Sequence, residues 1–462
     1  MWNSLQSTRL KLDKQRTILG NTLRESAEKP FLTPPTREEF LVLCQKTNKK
    51  GKSASINRLT YNMVKHWPVE VTNKVYDLLI MLWNDKLIPE HHKWRFFCLL
   101  PKVPGSEKLE DMRPISLMDV VRKLWLGFFV TKISKFSEKH NLLDSAQNAY
   151  RHHLGTDSAT IGLINIFEVI REQETTGAFC SFDIKRAFDS VSKNLSRIAL
   201  LRQGVPSVLA DYIVRHDENG TVFIRSPLVM QALKELRQKA EENGVPLSDP
   251  SLKDLKFFKL GISPERGIGQ GAVESCVIWN AVFDILLTAL RMEKHKTDPI
   301  YYLDGFELIA NEHPSFADDL LTMAATVGGM QRIAEIVSAF ALIFGFDIKI
   351  DKLRTLLLQW GNESSLVRNP TLCLRTVHLD NTHAVPMNED GPIKFVGIMH
   401  NDKDGTQFCK LLSDLKTHTL YLGRTKASIE CTLLAVNTSI NNALLYRGNL
   451  ATLTELQYRE LC

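Results

Sequence analysis

The stretch Phe182-Asp183-Ile184-Lys185-Arg186-Ala187-Phe188-Asp189 decides the fold. Its hydrophobic lead-in predicts a short strand over Phe179–Asp183 that ends in an acid, followed by a helix from about Ser190. A second stretch, Phe316-Ala317-Asp318-Asp319, stands 135 residues after Asp183. With His313 before it and Leu320–Ala325 after it, it reads as strand–turn–strand. An Asp-Asp pair by itself commonly caps a turn. Adjacent carboxylates are costly unless cations sit beside them. Carboxylates carried on separate strands suit a pair of Mg²⁺ ions roughly 3.5–4 Å apart, one activating an attacking hydroxyl and the other stabilising the leaving oxygen.

Working outward, the pattern is α+β, with short acid-tipped strands among helices. Residues 1–28 predict a basic amphipathic helix that Pro30, Pro34 and Pro35 break. Thr36-Arg37-Glu38-Glu39 reads as a capping box opening a helix over Glu38–Gln45, and Lys46–Ser53 is a basic loop. Helical spacing of Val71, Val75, Leu78, Leu79 and Leu82 marks a helix over Glu70–Asp85. Lys93–Val103, Thr221–Ile224, Leu356–Trp360 and Ile393–Ile398 read as strands. A long helix runs to about Lys139, and further helices cover Ala272–Met292 and Met330–Phe344. Residues 229–255 look like a charged insertion, and the last sixty or so residues read as two or three helices.

Composition narrows the classes. The chain has 462 residues, 44% hydrophobic and 24% charged, which excludes a disordered, collagen-like or fibrous protein. The net charge is +6, and residues 1–60 hold twelve Lys/Arg against five Asp/Glu, so the basic excess is N-terminal. The eight cysteines form no C-x-x-C pair and read as reduced thiols of an intracellular protein, nuclear or cytoplasmic. The apolar stretches Val277–Leu290 and Met323–Phe346 are too short or too interrupted to predict a membrane span.

The two acidic stretches together resemble the palm signature of reverse transcriptases, closest to those of non-LTR (LINE-type) retrotransposons. Four more blocks in the family order carry the resemblance. Leu99-Leu100-Pro101-Lys102 with Arg113-Pro114-Ile115-Ser116-Leu117 resembles the fingers segment. Gln147-Asn148-Ala149-Tyr150-Arg151 with Gly155, Thr156 and Ser158 resembles the next block. Arg266-Gly267-Ile268-Gly269-Gln270-Gly271 with Ser275 and Asn280 resembles the R-G-x-x-Q-G block. Lys394-Phe395-Val396-Gly397-Ile398 resembles the primer-grip strand.

The resemblance implies a right-hand polymerase fold of fingers, palm and thumb with a ferredoxin-like palm sheet. It implies a basic N-terminal extension over 1–60, interleaved fingers and palm over 61–400, and a truncated helical thumb over 401–462. It implies RNA-directed DNA synthesis, with an RNA template, a DNA primer and deoxynucleotides as partners and two Mg²⁺ ions, or Mn²⁺, as cofactors. Asp183 and Asp318 would be the principal metal ligands and Asp319 the third catalytic acid. Lys102 and Arg113 would clamp the triphosphate. Phe188 would be the steric gate that rejects a 2′-OH by overlap, and Gln270 and Gly271 would lie against the nucleotide. Phe395, Val396 and Gly397 would hold the primer end. Asp189 is expected to cap the helix that follows it, and Arg354 resembles a basic position of the next block.

Two departures stand out. Lys52-Ser-Ala-Ser-Ile-Asn-Arg58 replaces a Gly-rich segment, and Ala272-Val273-Glu274-Ser275-Cys276 has lost both prolines that usually follow the Q-G pair. With no endonuclease domain, Cys/His knuckle or RNase H domain legible in it, the chain reads as a retrotransposon-derived polymerase core, a fragment or truncated reading frame. The rival readings are a silent nucleic-acid-binding remnant and a related RNA-templated polymerase or intron maturase.

Overall fold

The computed structural model describes residues 30–46, 57–102, 111–225, 263–304, 307–360, 367–375, 382–388, 393–396 and 398–400. The expected N-terminal helix, the basic loop 46–53 beyond Lys46, the whole 229–255 insertion with its flanks, and the C-terminal helices lie outside the described residues. In chain order the first helices are α1 (Arg37–Gln45), α2 (Tyr61–Lys65) and α3 (Val69–Asn84). Strands β1 (Arg95–Pro101) and β2 (Met112–Leu117) precede α4 (Val120–Lys139) and α5 (Thr156–Glu172). Then come β3 (Gly177–Phe182), β4 (Ile184–Lys185), α6 (Ala187–Ser190), α7 (Lys193–Arg202), α8 (Ser207–Arg215) and β5 (Val222–Arg225). Helix α9 (Ser275–Met292) leads to β6 (Tyr301–Asp304), β7 (Glu307–Ala310), β8 (Ser315–Phe316) and β9 (Asp319–Ala324). Helix α10 (Val327–Phe344), β10 (Asp347–Ile348) and β11 (Arg354–Leu358) follow. Two antiparallel strand pairs close the described chain: β12 (Thr371–Arg375) with β13 (Thr382–Pro386), and β14 (Ile393–Phe395) with β15 (Ile398–His400).

The chain divides into two compact units. Among the described residues the first comprises 144–185 and those from 283 onward; the second comprises those up to 143 and those within 186–282. The α+β expectation holds in both.

In the first unit four antiparallel strands form a sheet in the order β11-β3-β9-β8. Period-2 alternation gives β3 two apolar faces, as a covered central strand requires. One face sends Phe179, Leu321, Met323, Leu356 and Leu358 into a core with Leu163, Ile166 and Phe167 of α5. The rings of Phe167 and Phe179 stack 4.6 Å apart there. The opposite face presents Cys180 and its register partner Thr322, whose hydroxyl meets the Met330 sulfur of α10 at 3.4 Å. Burial pushes the Cys180 thiol up, so it stays protonated.

In the second unit β1 pairs antiparallel with β2 and parallel with β5. Beside it an aromatic core joins α3, α4 and α8. Trp83 stacks on Phe129 at 4.7 Å and meets Tyr212 edge-on at 4.8 Å, and the Trp125 indole donates to the Tyr212 hydroxyl at 3.1 Å.

Several expectations are met and several corrected. The capping box is present: the Glu39 N–H donates to the Thr36 hydroxyl at 3.2 Å, and the Thr36 N–H donates back to the Glu39 carboxylate at 2.8 Å. On α3 the buried stripe is Thr72, Leu79 and Trp83, while Val71 and Leu78 are exposed, so the helix is rotated from the expected face. The strand expected over Ile393–Ile398 is instead a tight hairpin, turned at Val396 with φ 48°. Helices α9 and α10 are both long and apolar enough to cross a membrane, unlike the interrupted runs expected. Within the described fold α9 is mostly buried, and α10 packs against β9, β10 and β12.

Candidate active site

The first unit carries the three acids. Register brings two of them together: Phe182 pairs with Leu320, so one step further Asp183 leaves β3 beside Asp319 at the start of β9. Asp318 sits between β8 and β9 in the two-residue turn Ala317-Asp318, since Phe316 pairs with Asp319. Ala317 has φ 58°, and a positive φ at the first turn residue alone is the pattern of a type II′ hairpin. That conformation disfavours any residue but glycine, so something must hold it. Gln147 does. Its buried side-chain amide accepts from the Ala317 N–H at 3.1 Å and donates to the Ala317 carbonyl at 3.2 Å. The neighbouring backbone is laced to β8 as well: the Ser315 N–H donates to the Ala146 carbonyl at 2.8 Å, and the Asn148 N–H donates to the Ser315 carbonyl at 3.0 Å. The sequence singled out the Gln147 block but not this role, because the contact spans 170 residues.

Asp183 is half-buried and already has a cation. The Lys349 ammonium lies 2.9 and 3.1 Å from its two carboxylate oxygens. The sequence missed Lys349; its only signal was a place four residues after Gly345, before the basic position matched at Arg354. Arg354 itself donates to the carbonyls of Asp351 and Leu353 in its own loop.

Three carboxylates are hard oxygen donors of the kind that divalent ions such as Mg²⁺ take, and an ammonium stands against one of them, so the chemistry fits a cation. Among the described residues no group of three or more His, Cys, Asp or Glu is gathered closely enough to hold a metal ion alone. This is compatible with a site that substrate phosphates complete, since Mg²⁺ is commonly bound by one or two carboxylates plus phosphates.

The second unit carries the positions expected to bind a nucleotide. Arg113 pairs with Leu100 across the β1–β2 ladder, and the Lys102 N–H donates to the Asp111 carbonyl at 2.6 Å. Lys102 follows Leu100 by two, so Lys102 and Arg113 share one face, and both are exposed. Phe188 is half-buried, and its ring lies flat on the buried Trp279, 5.2 Å between centroids and 19° between planes. The segment after it is stitched to the glycine-rich loop: the Ile268 N–H donates to the Phe188 carbonyl at 2.8 Å, and the Gly267 N–H to the Val191 carbonyl at 2.7 Å. The Ser116 N–H donates to the Gln270 carbonyl at 2.7 Å, leaving Gln270 half-buried and Gly271 exposed. Gly269 leaves room for its neighbours here, because a Cβ would sit 2.6 Å from the Ser116 hydroxyl and push the side chains around it aside. Gly271 has φ 98°, which also favours glycine.

Where two prolines are lost, ion pairing holds the chain. Glu274 is buried at the entrance to α9 and its carboxylate pairs with Arg122. The Ser275 hydroxyl donates to the Gly269 carbonyl at 2.7 Å. Asp189 does not cap the next helix; Ser192 does, accepting from the Leu195 N–H at 3.1 Å, because Asp189 lies inside the short turn of α6. Burial pushes the Asp189 carboxyl up, against the pull of Arg186, Lys102 and Arg95. Of the primer-grip residues, Phe395 is buried in the core of the first unit, Val396 forms the hairpin turn, and Gly397 lies outside the described residues.

Known proteins match this chain over the same stretch. The family described as reverse transcriptase (RNA-dependent DNA polymerase) matches residues 100–400. A retrovirus-related Pol polyprotein from the type-1 retrotransposable element R2 of Nasonia vitripennis is 25% identical over 303 residues, 66% of this chain and 26% of that protein. Its counterpart from the type-2 element R2DM of Drosophila melanogaster is 25% identical over 279 residues, 60% of this chain and 22% of that one. The chain thus spans about a quarter of the length of these curated relatives. Among solved structures, apo telomerase from Candida tropicalis, truncated from its C-terminal domain, aligns with a TM-score of 0.40 at 10% identity, covering 72% of this chain and 59% of that one.

Proposed function

The chain belongs to the reverse transcriptase family, and we propose that it is an RNA-directed DNA polymerase of a non-LTR retrotransposon that extends a primer 3′-OH with deoxynucleotides. The observation that carries this reading is the β3–β9 register, which sets Asp183 and Asp319 side by side with Asp318 in the adjoining turn. On this reading residues 61–400 are fingers and palm, 401–462 the thumb, and 1–60 a basic extension toward nucleic acid; the protein works inside the cell.

Asp183 and Asp318, with Asp319, would hold two divalent ions, Mg²⁺ or Mn²⁺. When bound, these supply charge neutralisation for the attacking and leaving oxygens. The remaining work falls to the chain itself. Lys102 and Arg113 receive the triphosphate by charge-assisted hydrogen bonds. Phe188, seated on Trp279, gates the sugar, since a bulky ring rejects a 2′-OH by overlap. Gln270 and Gly271 offer a backbone that the nucleotide can approach closely. Phe395, Val396 and Gly397 support the primer end, Phe395 from within the core and Val396 from the turn. Backbone charge and A-form shape bind the hybrid, and base pairing supplies the sequence.

The test is primer extension on an RNA template with a DNA primer, with Asp318→Ala as control. We expect extension by the unmutated chain and a loss of about a thousandfold or more in the variant, a few kcal/mol of transition-state stabilisation. A second reading, a silent nucleic-acid-binding remnant, draws on the Lys349 ammonium seated on Asp183 and on the altered 272–276 block. Tight hybrid binding with no extension at any divalent-ion concentration would favour it.

A further inference from the structure

We propose that Lys349 is a built-in counter-cation for Asp183, one that a divalent ion must displace before it can bind there. The inference rests on the reading of Asp183 as a metal ligand. Three observations support it. The ammonium faces both carboxylate oxygens at 2.9 and 3.1 Å, the position a cation bound by this carboxylate would take. The backbone fixes that position, because β10 pairs Ile348 with Ile184 and Asp347 with Lys185, and the Lys349 N–H donates to the Asp183 carbonyl at 3.0 Å. The pair is open to solvent, with side chains 25% and 28% exposed, so the ammonium can leave without stranding a buried charge.

The neighbouring ion pair underlines the point. On the two-residue ladder itself Lys185 reaches Asp347 at 3.4 Å, and Asp183 and Lys349 flank that ladder, so each of its two segments sets a lysine against an aspartate of the other. Arg354 turns its guanidinium to the Asp351 and Leu353 carbonyls, which leaves Lys349 as the cation seen on Asp183 among the described residues. A monovalent ammonium on a flexible stem yields to a divalent ion at sufficient concentration, because the Coulomb attraction scales with charge. The consequence is a raised threshold for metal loading. In the metal-free chain Asp183 keeps its charge balanced and its strand end in register.

The experiment is Mn²⁺ binding to the whole chain without nucleotide, read by electron paramagnetic resonance of free Mn²⁺. Lys349→Met keeps the stem and removes the charge. We expect it to tighten Mn²⁺ binding about two- to fivefold, the scale of a partly exposed ion pair. Asp183→Asn should weaken binding in either background. Unchanged or weaker Mn²⁺ binding by Lys349→Met, with Asp183→Asn still weakened, overturns the counter-cation and leaves the metal reading intact. Binding unaffected by Asp183→Asn overturns the metal reading itself. A second measurement needs no variant. Amine-reactive labelling of Lys349, followed by peptide mass spectrometry, should rise as Mn²⁺ is added to the unmutated protein. Labelling of Lys349 that stays flat while Mn²⁺ binds would refute displacement.

Discussion

Two sets of ion pairs in this protein use the same chemistry to opposite ends. In the second unit Arg122 is fully buried and reaches Asp217 at 2.8 Å, Glu274, and the carbonyl of His92 at 2.6 Å, while Arg95 also pairs with Asp217. Burial pushes the Asp217 carboxyl up, but Arg95 and Arg122 outweigh it and hold the group below the usual carboxylate range. In the first unit Asp183 and Lys349 meet at similar distance with a quarter of each side chain in solvent. Water makes the difference. A buried pair that loses one member strands the other, whereas a half-exposed pair lets solvent or another ion take the vacated place. The first arrangement is scaffold for the glycine-rich loop; the second is a seat that can change occupant.

The sharpest way to break this contrast is to remove Arg122. Arg122→Met should cost about 3–5 kcal/mol in denaturant unfolding, because Asp217 and Glu274 lose a buried partner. Replacing Glu274 with Leu in the same chain should recover part of that loss, because Glu274 pairs with Arg122 whereas Asp217 keeps Arg95 as a partner. A smaller effect comes from His92, which lies beside Asp119 in the same interior. Burial lowers its pKa from 6.5 to about 4, against the pull of Asp119. The unfolded chain takes up this proton as pH falls through 6.5 and the folded chain only near 4, so stability drops across that window. The full shift is worth about 3 kcal/mol, and His92→Gln should flatten the pH dependence of the melting curve by up to that amount. His216 is held neutral in the same way and should account for slope that remains.

Gln147→Leu sharpens the first unit's side. It removes the amide that grips Ala317 and should lower single-turnover extension about ten- to a hundredfold, in keeping with about 1–3 kcal/mol for lost buried hydrogen bonds, with hybrid binding unchanged. Least of all, Lys349→Met should shift unfolding stability by about 1 kcal/mol or less. A loss as large as that of Arg122→Met would mean that the two sets of pairs do not differ in kind.

How much of this was legible in the sequence follows from how local each signal is. The acid-tipped strands, the Thr36 capping box and the strand–turn–strand over His313–Ala325 are written within a few residues and are legible there. The α3 face was misjudged because Val71 and Leu78 fit the helical period as well as Thr72 and Trp83 do, and only the packing partner decides between them. The hairpin at Val396 was hidden because a β-branched residue at positive φ is a poor turn signal. Asp189 has a capping side chain, but it falls inside α6, and Ser192, directly before α7, caps instead. Gln147, Lys349 and Glu274 acquire their roles from partners far along the chain: Ala317, Asp183 and Arg122. No local rule reaches that distance.

The β3–β9 pairing also sets a schedule. Phe182 must wait for Leu320, so nearly 140 residues separate the synthesis of one partner from that of the other. At translation speeds of about 5–20 residues per second the wait is roughly 7–30 s. Through that interval Phe179, Cys180 and Phe182, all destined for the interior, have no sheet to join. A nascent chain of this design offers a sticky edge to holdase chaperones long before it can close, and slowing synthesis between residues 185 and 319 would lengthen that vulnerable period.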